Sequence, residues 1–333
     1  MTKVAVGIIG FGEWVKSAYL PALEGTEGAV VVAVAARSEA GRAAAGERLG
    51  ERVALYADYR DLLADPAVGA VMIAVPNRVH SEVLIAAARA GKALFFEPPL
   101  GLGDEEAQAA LAALEACDGP VQADFELRYT PVLRRVVAMV QDGSIGAPLM
   151  ARVRLWCNWG HGGGEWKEEV QGQGFFPWLG YWYLDVLDAV FGAAPLSACV
   201  VGGRAMNGDL TDHGWAALTY PDGRLGQLEF SLIAAETQHV GVLVAGTGGE
   251  VEADLWSGDL RRRVPGGDWE LASVPCAQPI CGFSGMRESV GRFVAAAGAG
   301  LPVPANMAVI RRVHAAAWGC ARSDATGENV TID

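Results

Sequence analysis

Over the first third of the chain, short apolar runs alternate with longer stretches of helical spacing. Apolar runs at residues 4–9, 29–36, 53–56, 70–75, 93–96 and 121–125 read as strands. Between them, residues 13–23, 38–49, 80–90 and 104–117 carry Ala, Leu, Glu and Arg at helical spacing, with glycines such as Gly50 and Gly91 closing them. Strand and helix in strict alternation predict an α/β domain built on a doubly wound parallel sheet, covering residues 1–122.

The rhythm changes after Phe125. Thr130 followed by Pro131 predicts a helix cap and first turn, opening a helix that ends near Asp142-Gly143. From Leu149 onward strands dominate, at residues 149–158, 198–204, 214–220, 224–232, 239–245 and 250–255. Tyr220-Pro221-Asp222-Gly223 supplies a tight hairpin turn. One helix over 175–191 interrupts the strands, and two more, over 284–297 and 306–321, finish the chain. The expectation for residues 123–333 is an α+β domain with a mostly antiparallel open sheet, which binds substrate. An uncovered sheet face also suits association with further copies, so a homo-oligomer is expected.

Composition narrows the partners. A net charge of -13 repels phosphate backbones and anionic lipid, which argues against nucleic acid and membrane surfaces. No apolar stretch approaches a membrane span, and the start of the chain lacks the pattern of an export signal, so a cytoplasmic protein is expected. Cys117, Cys157, Cys199, Cys276, Cys281 and Cys320 are scattered without metal-ligand spacing, so neither a metal nor cysteine chemistry is expected.

Gly10-Phe11-Gly12-Glu13-Trp14-Val15 lies between the first strand and the first helix. Gly10 suits the tight turn, and Gly12 lets a pyrophosphate approach amides at a helix N-terminus, the order of a Rossmann dinucleotide site. Val15 replaces the usual third small residue. The second strand ends in Ala35-Ala36-Arg37-Ser38, with Arg42 a turn later, and offers no acid to a ribose hydroxyl. Arg37, Ser38 and Arg42 suit a ribose 2'-phosphate instead, which predicts NADP, as NADPH, over NAD.

Further motifs follow: Ala74-Val75-Pro76-Asn77-Arg78-Val79-His80, Phe96-Glu97-Pro98-Pro99-Leu100, Gly143-Ser144-Ile145-Gly146-Ala147-Pro148 and Gly246-Thr247-Gly248-Gly249-Glu250. With the glycine loop, they resemble the glucose-fructose oxidoreductase, inositol dehydrogenase and rhizopine catabolism family (Gfo/Idh/MocA) over nearly the whole chain. The resemblance implies an oxidoreductase in which Pro76, Asn77, His80 and Glu97 shape the cofactor pocket. The departures are pointed. Where family members carry Glu-Lys-Pro, the lysine position is Pro98; where they carry Asp and His on the later helix, the positions are Trp178 and Trp182, although Gly180 and Asp185 match.

Tryptophan has one N–H donor and does not titrate, so ordinary sugar or polyol oxidation lacks its usual base. Trp178 and Trp182, with Trp156, Asn158 and Trp159 before them and Asp185 after, predict an aromatic-walled pocket for a planar, conjugated or cationic small molecule. Tyr181 or His161 is expected to supply the proton, and Gly160, Gly162–Gly164, Glu165 and Trp166 to form a loop over the substrate. The resulting expectation is an NADPH-dependent reductase of an imine or conjugated molecule. The alternative is a family member that binds nucleotide and an aromatic ligand without redox turnover.

Overall fold

The computed structural model describes residues 3–161, 174–206, 208, 210–235, 238–276 and 278–332. These divide into two compact units, the first formed by residues 1–124 and 286–310, the second by 125–285 and 311–333. The first unit thus takes in a late segment that the sequence reading placed in the second domain.

In the first unit, β1 (Val4–Ile9), β2 (Ala29–Ala35), β3 (Ala54–Tyr56), β4 (Ala70–Ile73), β5 (Ala93–Phe96) and β6 (Val121–Ala123) form one parallel sheet in the order β3-β2-β1-β4-β5-β6. The order reverses at β1, which puts a ligand crevice at the carboxyl ends of the strands. All four residues of β4 and of β5 are buried, as a strand covered on both faces requires. The helices are α1 (Leu20–Glu24), α2 (Glu39–Leu49), α3 (Tyr59–Ala64), α4 (His80–Arg89) and α5 (Asp104–Glu115). The sequence reading missed α3, whose single turn and a half is too short to show a period; Asp58 caps it by accepting from the Arg60 amide. In the core, Tyr19 packs edge to face on Phe95 and Phe293 tilts against it, both 5.4 Å from Phe95 at the ring centroids.

In the second unit, α6 (Pro131–Gln141) starts where Thr130 caps it and Pro131 opens its first turn, as the sequence predicts. The sheet comprises β7 (Pro148–Cys157), β8 (Ser197–Gly203), β9 (His213–Thr219), β10 (Leu225–Ser231), β11 (Gln238–Gly246), β12 (Gly249–Asp254), β13 (Asp259–Arg263), β14 (Glu270–Ser273) and β15 (Val330–Thr331). Its order is β14-β13-β12-β11-β7-β10-β9-β8-β15, and every pairing is antiparallel except β7 with β10. Burial alternates along β9 and β10, leaving one face wet. On that face, Val201 pairs with Trp215, and they are 63% and 52% exposed. In the turn before β10, Asp222 as well as Gly223 takes a left-handed backbone, at φ 63° and 73°.

The sequence pattern did not show β13 and β14, because three arginine–glutamate pairs around a single buried Leu260 hold them. Glu250 stands opposite Arg263 and Glu252 opposite Arg261, each as an ion pair, and Arg262 reaches Glu270. Trp269 lies under both Arg261 and Arg263, 4.4 and 4.7 Å from the guanidinium carbons.

The remaining helices are α7 (Tyr181–Phe191), α8 (Met286–Ala299) and α9 (Met307–Thr326). α7 is nearly all apolar, and Phe175 in the turn before it stacks flat on Phe230 of β10, 3.9 Å between ring centroids. Its two acids are buried and must be paired. Arg128 donates to Asp185 at 2.6 and 3.0 Å and to Asp188 at 2.8 Å, and Arg312 donates to Asp188 at 2.5 Å. Burial works against the Arg128 guanidinium, but Asp185 and Asp188 more than offset it, holding its pKa above the ordinary value. No described helix is long and apolar enough to cross a membrane. Arg128→Met is expected to strand the buried Asp185 carboxylate, leaving Asp188 with Arg312 alone, and cost about 3–5 kcal/mol, read as a shift in the urea unfolding midpoint.

Candidate active site

The glycine loop is shaped by close backbone approach. Gly10 has φ 96°, and a Cβ there would fall 2.0 Å from the Ala74 carbonyl oxygen, so only glycine fits. At Gly12, nothing lies within 4 Å of a Cβ position, which leaves the open cradle that a phosphate group needs beside the next helix. Phe11 is buried, whereas Glu13 is exposed and pairs with Lys16. The chain enters α1 through a wide π-type turn, Val15–Tyr19, and Trp14 just before it sends its indole N–H to Glu97 at 2.5 Å. The donor set thus fits a pyridine dinucleotide.

At the end of β2 the three predicted phosphate ligands have different employments. Ser38 caps α2, its hydroxyl accepting from the Gly41 amide at 3.1 Å. Arg42 donates to the carbonyls of Ala36 and Arg37 at 2.9 and 2.8 Å, bracing the turn, and Arg37 is exposed beside it.

After β4, Pro76 is exposed and Asn77 half-buried at the start of a short helical turn. His80 is 1% exposed, and its Nδ1 lies 2.6 Å from the Pro99 carbonyl oxygen. A carbonyl only accepts, so Nδ1 carries the proton. Burial lowers the imidazole to about 4, with the Pro99 bond opposing, so His80 is neutral near pH 7 and ties α4 to the Pro98-Pro99 turn. That turn contains a cis peptide bond, and Pro98 is buried.

Glu97 follows β5 and accepts from Trp14, and burial raises its carboxyl to about 7 against hydrogen bonds that pull it down. Asp124 follows β6, is fully buried, and accepts from Ser289 at 3.0 Å; Gln122 donates to the same serine. Sequence reasoning missed Asp124, Gln122 and Ser289. The only signal was an acid at the end of the sixth strand.

In the second unit, the aromatic positions separate. Trp178 is 4% exposed and meets Trp159 at 6.4 Å between ring centroids. Trp182 donates its N–H to the buried Glu126 carboxyl at 2.7 Å. Trp156 stands on the other, wet face of β7, 46% exposed, donating to Glu229 at 3.1 Å with Arg154 over its ring. One strand cannot present Trp156 and its neighbour Cys157 to the same side, so the wall expected from Trp156 is not formed with Trp178. Asp185 is spent on Arg128. Tyr181 is 1% exposed with its hydroxyl 2.8 Å from His314 Nδ1, so the structure gives it a buried partner in place of an open position for proton donation. His161 is exposed at the end of a short turn, its Nε2 3.2 Å from the Ile233 carbonyl oxygen and its amide bonded to the half-buried Asn158. The loop residues 162–166 lie outside the described residues. Among the described residues no group of three or more His, Cys, Asp or Glu could hold a metal.

A nucleotide cradle on a parallel sheet, followed by a large antiparallel sheet, defines a two-part dinucleotide oxidoreductase architecture. The chain belongs to the Gfo/Idh/MocA oxidoreductase family: the family's NAD-binding Rossmann-fold model matches residues 4–125 and its C-terminal domain model residues 133–252. The chain is 33% identical over 147 residues to an inositol 2-dehydrogenase/D-chiro-inositol 3-dehydrogenase of Lactiplantibacillus plantarum, covering 44% of this chain and 42% of that protein. It is 31% identical over 148 residues to a 1,5-anhydro-D-fructose reductase of Ensifer adhaerens, covering 44% of each. The matches thus span less than half of these relatives' length. In fold it is similar to a levoglucosan dehydrogenase solved with NADH and L-sorbose, with a TM-score of 0.88, 21% identity and 100% of both chains covered.

Gly12→Leu is expected to fill the cradle and weaken nucleotide binding more than tenfold while leaving the melting temperature unchanged, since its side chain enters open space. Titration of intrinsic tryptophan fluorescence and a thermal melt check both halves.

Proposed function

We propose that the chain is an NADP(H)-preferring oxidoreductase that interconverts a hydroxyl and a carbonyl group on a small, polar molecule of the sugar or polyol kind. The observation that carries this reading is the Gly10 and Gly12 cradle, with Glu97 beside it at the strand ends. A bound nucleotide supplies or accepts the hydride; the chain's own residues bind it, orient the substrate and handle the proton.

The substrate class departs from the expectation of a planar aromatic or imine ligand. The indoles that suggested it are buried, hydrogen-bonded to an acid, or on the wet face of the sheet. The relatives reported above are named for inositols and an anhydrofructose, which supports a polyhydroxylated substrate. Buried Glu126, held by Trp182, is a hydroxyl acceptor of the right chemistry.

NADP preference is supported by the exposed Arg37 at the end of β2, kept in place by the Arg42 brace, with no acid in the ribose position. Arg37→Ala is expected to weaken NADPH binding about tenfold or more and to leave NADH affinity unchanged. Fluorescence titration with each nucleotide decides it, and a panel of inositols, anhydrosugars and aldoses assayed with both nucleotides tests turnover. Activity restricted to imines, or none with any substrate, would sink the reading.

The wet sheet face, with Val201 and Trp215 exposed side by side, supports a homo-oligomer. Trp215→Glu is expected to shift the species seen in analytical ultracentrifugation toward the monomer, with an unchanged far-UV spectrum.

A further inference from the structure

The wet face of the second sheet carries a knob, a notch and two charges between them. Trp215 of β9, Glu229 of β10, Arg154 of β7 and Gly241 of β11 lie side by side in one row across four strands. Trp215 stands exposed at one end of the row. At the other end, Gly241 lies in a depression of about 420 Å3, walled by Arg154, His239, Asp254, Glu252, Arg261 and Leu271. The fold does not require glycine there: the backbone is not left-handed, and a Cβ would meet ordinary contacts, 3.6 Å to the His239 ring and 3.8 Å to the Ala253 carbonyl oxygen. Glycine weakens a strand, and where the backbone does not need it, it leaves room for something that approaches from outside. Trp215 cannot fill the notch of its own chain, which is three strand spacings, about 14 Å, away.

The charges in the middle of the row are unspent. Arg154 and Glu229 stand opposite each other on neighbouring strands, yet among the described residues they form no ion pair. Trp156 comes between them, its indole N–H donating to Glu229 at 3.1 Å while the Arg154 guanidinium lies over its ring and 3.4 Å from the His239 ring. The other charged groups around the notch have partners: His239 meets Asp254 at 2.8 Å, Glu252 meets Arg261, and Asp259 accepts from the Ser257 hydroxyl at 2.9 Å.

A two-fold axis running along the strands between β10 and β7 turns this row onto itself, setting β9 of one copy against β11 of the other and β10 against β7. Sheets packed face to face stay within about 30° of aligned, so positions close to the axis remain matched. We propose that two copies of this chain associate about that axis, with Trp215 of each copy entering the Gly241 notch of the other and Glu229 of each meeting Arg154 of the other. The proposal rests on the homo-oligomer reading above and adds the alignment to it. In the next row, Ser231 faces Trp156 and His213 faces His239, each imidazole already turned to its own acid, Asp212 or Asp254. The buried indole anchors the contact, and the two charge pairs select this alignment over others.

Sedimentation velocity on charge-reversed variants reads the alignment. Arg154→Glu and Glu229→Arg each place like charges together when a variant pairs with itself, so each alone should raise the dissociation constant at least tenfold. Mixed in equal amounts, the two variants should assemble again, because the mixed dimer has opposite charges at both contacts. Gly241→Leu fills the notch without altering charge, and it should also dissociate the protein while leaving the far-UV spectrum unchanged. If the wild type is assembled but the mixture stays dissociated, or either charge variant or Gly241→Leu assembles as the wild type does, the alignment is overturned and the homo-oligomer reading stands. A wild type that is monomeric at every concentration overturns both.

Discussion

A carboxyl group taken out of water needs either a counter-charge or a proton, and each unit meets that constraint differently. In the second unit, Asp185 and Asp188 are buried on α7 and receive two guanidinium groups, Arg128 and Arg312. In the first, Glu97 and Asp124 receive neutral donors, Trp14 and Ser289. In the first solution the Arg128 charge pulls against the burial that raises Asp185 to about 7. The second yields a group that titrates near neutrality, which is what proton exchange at pH 7 asks for. An ion network braces a helix; a carboxyl group held by neutral donors keeps an exchangeable proton.

This contrast also accounts for the residues that differ from the family pattern. Proline at position 98 shapes a turn whose carbonyl end is gripped by neutral His80, so the segment that elsewhere presents an amine here contributes a rigid wall. Trp182, at the family's histidine position, meets a carboxyl group at Glu126 instead of offering an imidazole. Titratable groups have not vanished from the strand ends. Glu97, which matches the glutamate of the family's Glu-Lys-Pro, remains at the end of β5.

How legible all this was in the sequence depended on distance along the chain. The glycine loop, the strand and helix alternation, and the Thr130-Pro131 helix start were readable because each is a local pattern with one geometric solution. The pairing of Asp124 with Ser289 joins residues 165 positions apart, and Arg128 with Asp185 joins residues 57 apart, so nothing local marks either. Trp156 was misplaced because aromatic residue type was read without strand alternation, which sends Trp156 and Cys157 to opposite sides. Ser38 and Arg42 were read as ligands although capping and carbonyl bracing claim both side chains.

The ladder at the far edge of the second sheet has a consequence for how that edge finds its alignment. Apolar burial gives β13 little to set its offset by, since Leu260 is its one buried residue. Charge does: in the observed alignment, Glu250 and Glu252 each oppose an arginine, whereas sliding β13 by two places would leave one of them opposite Asp259. The edge therefore carries an electrostatic address that the central strands do not need. Because exposed pairs are screened by salt, the edge alignment should be the part of the sheet that ionic strength loosens first.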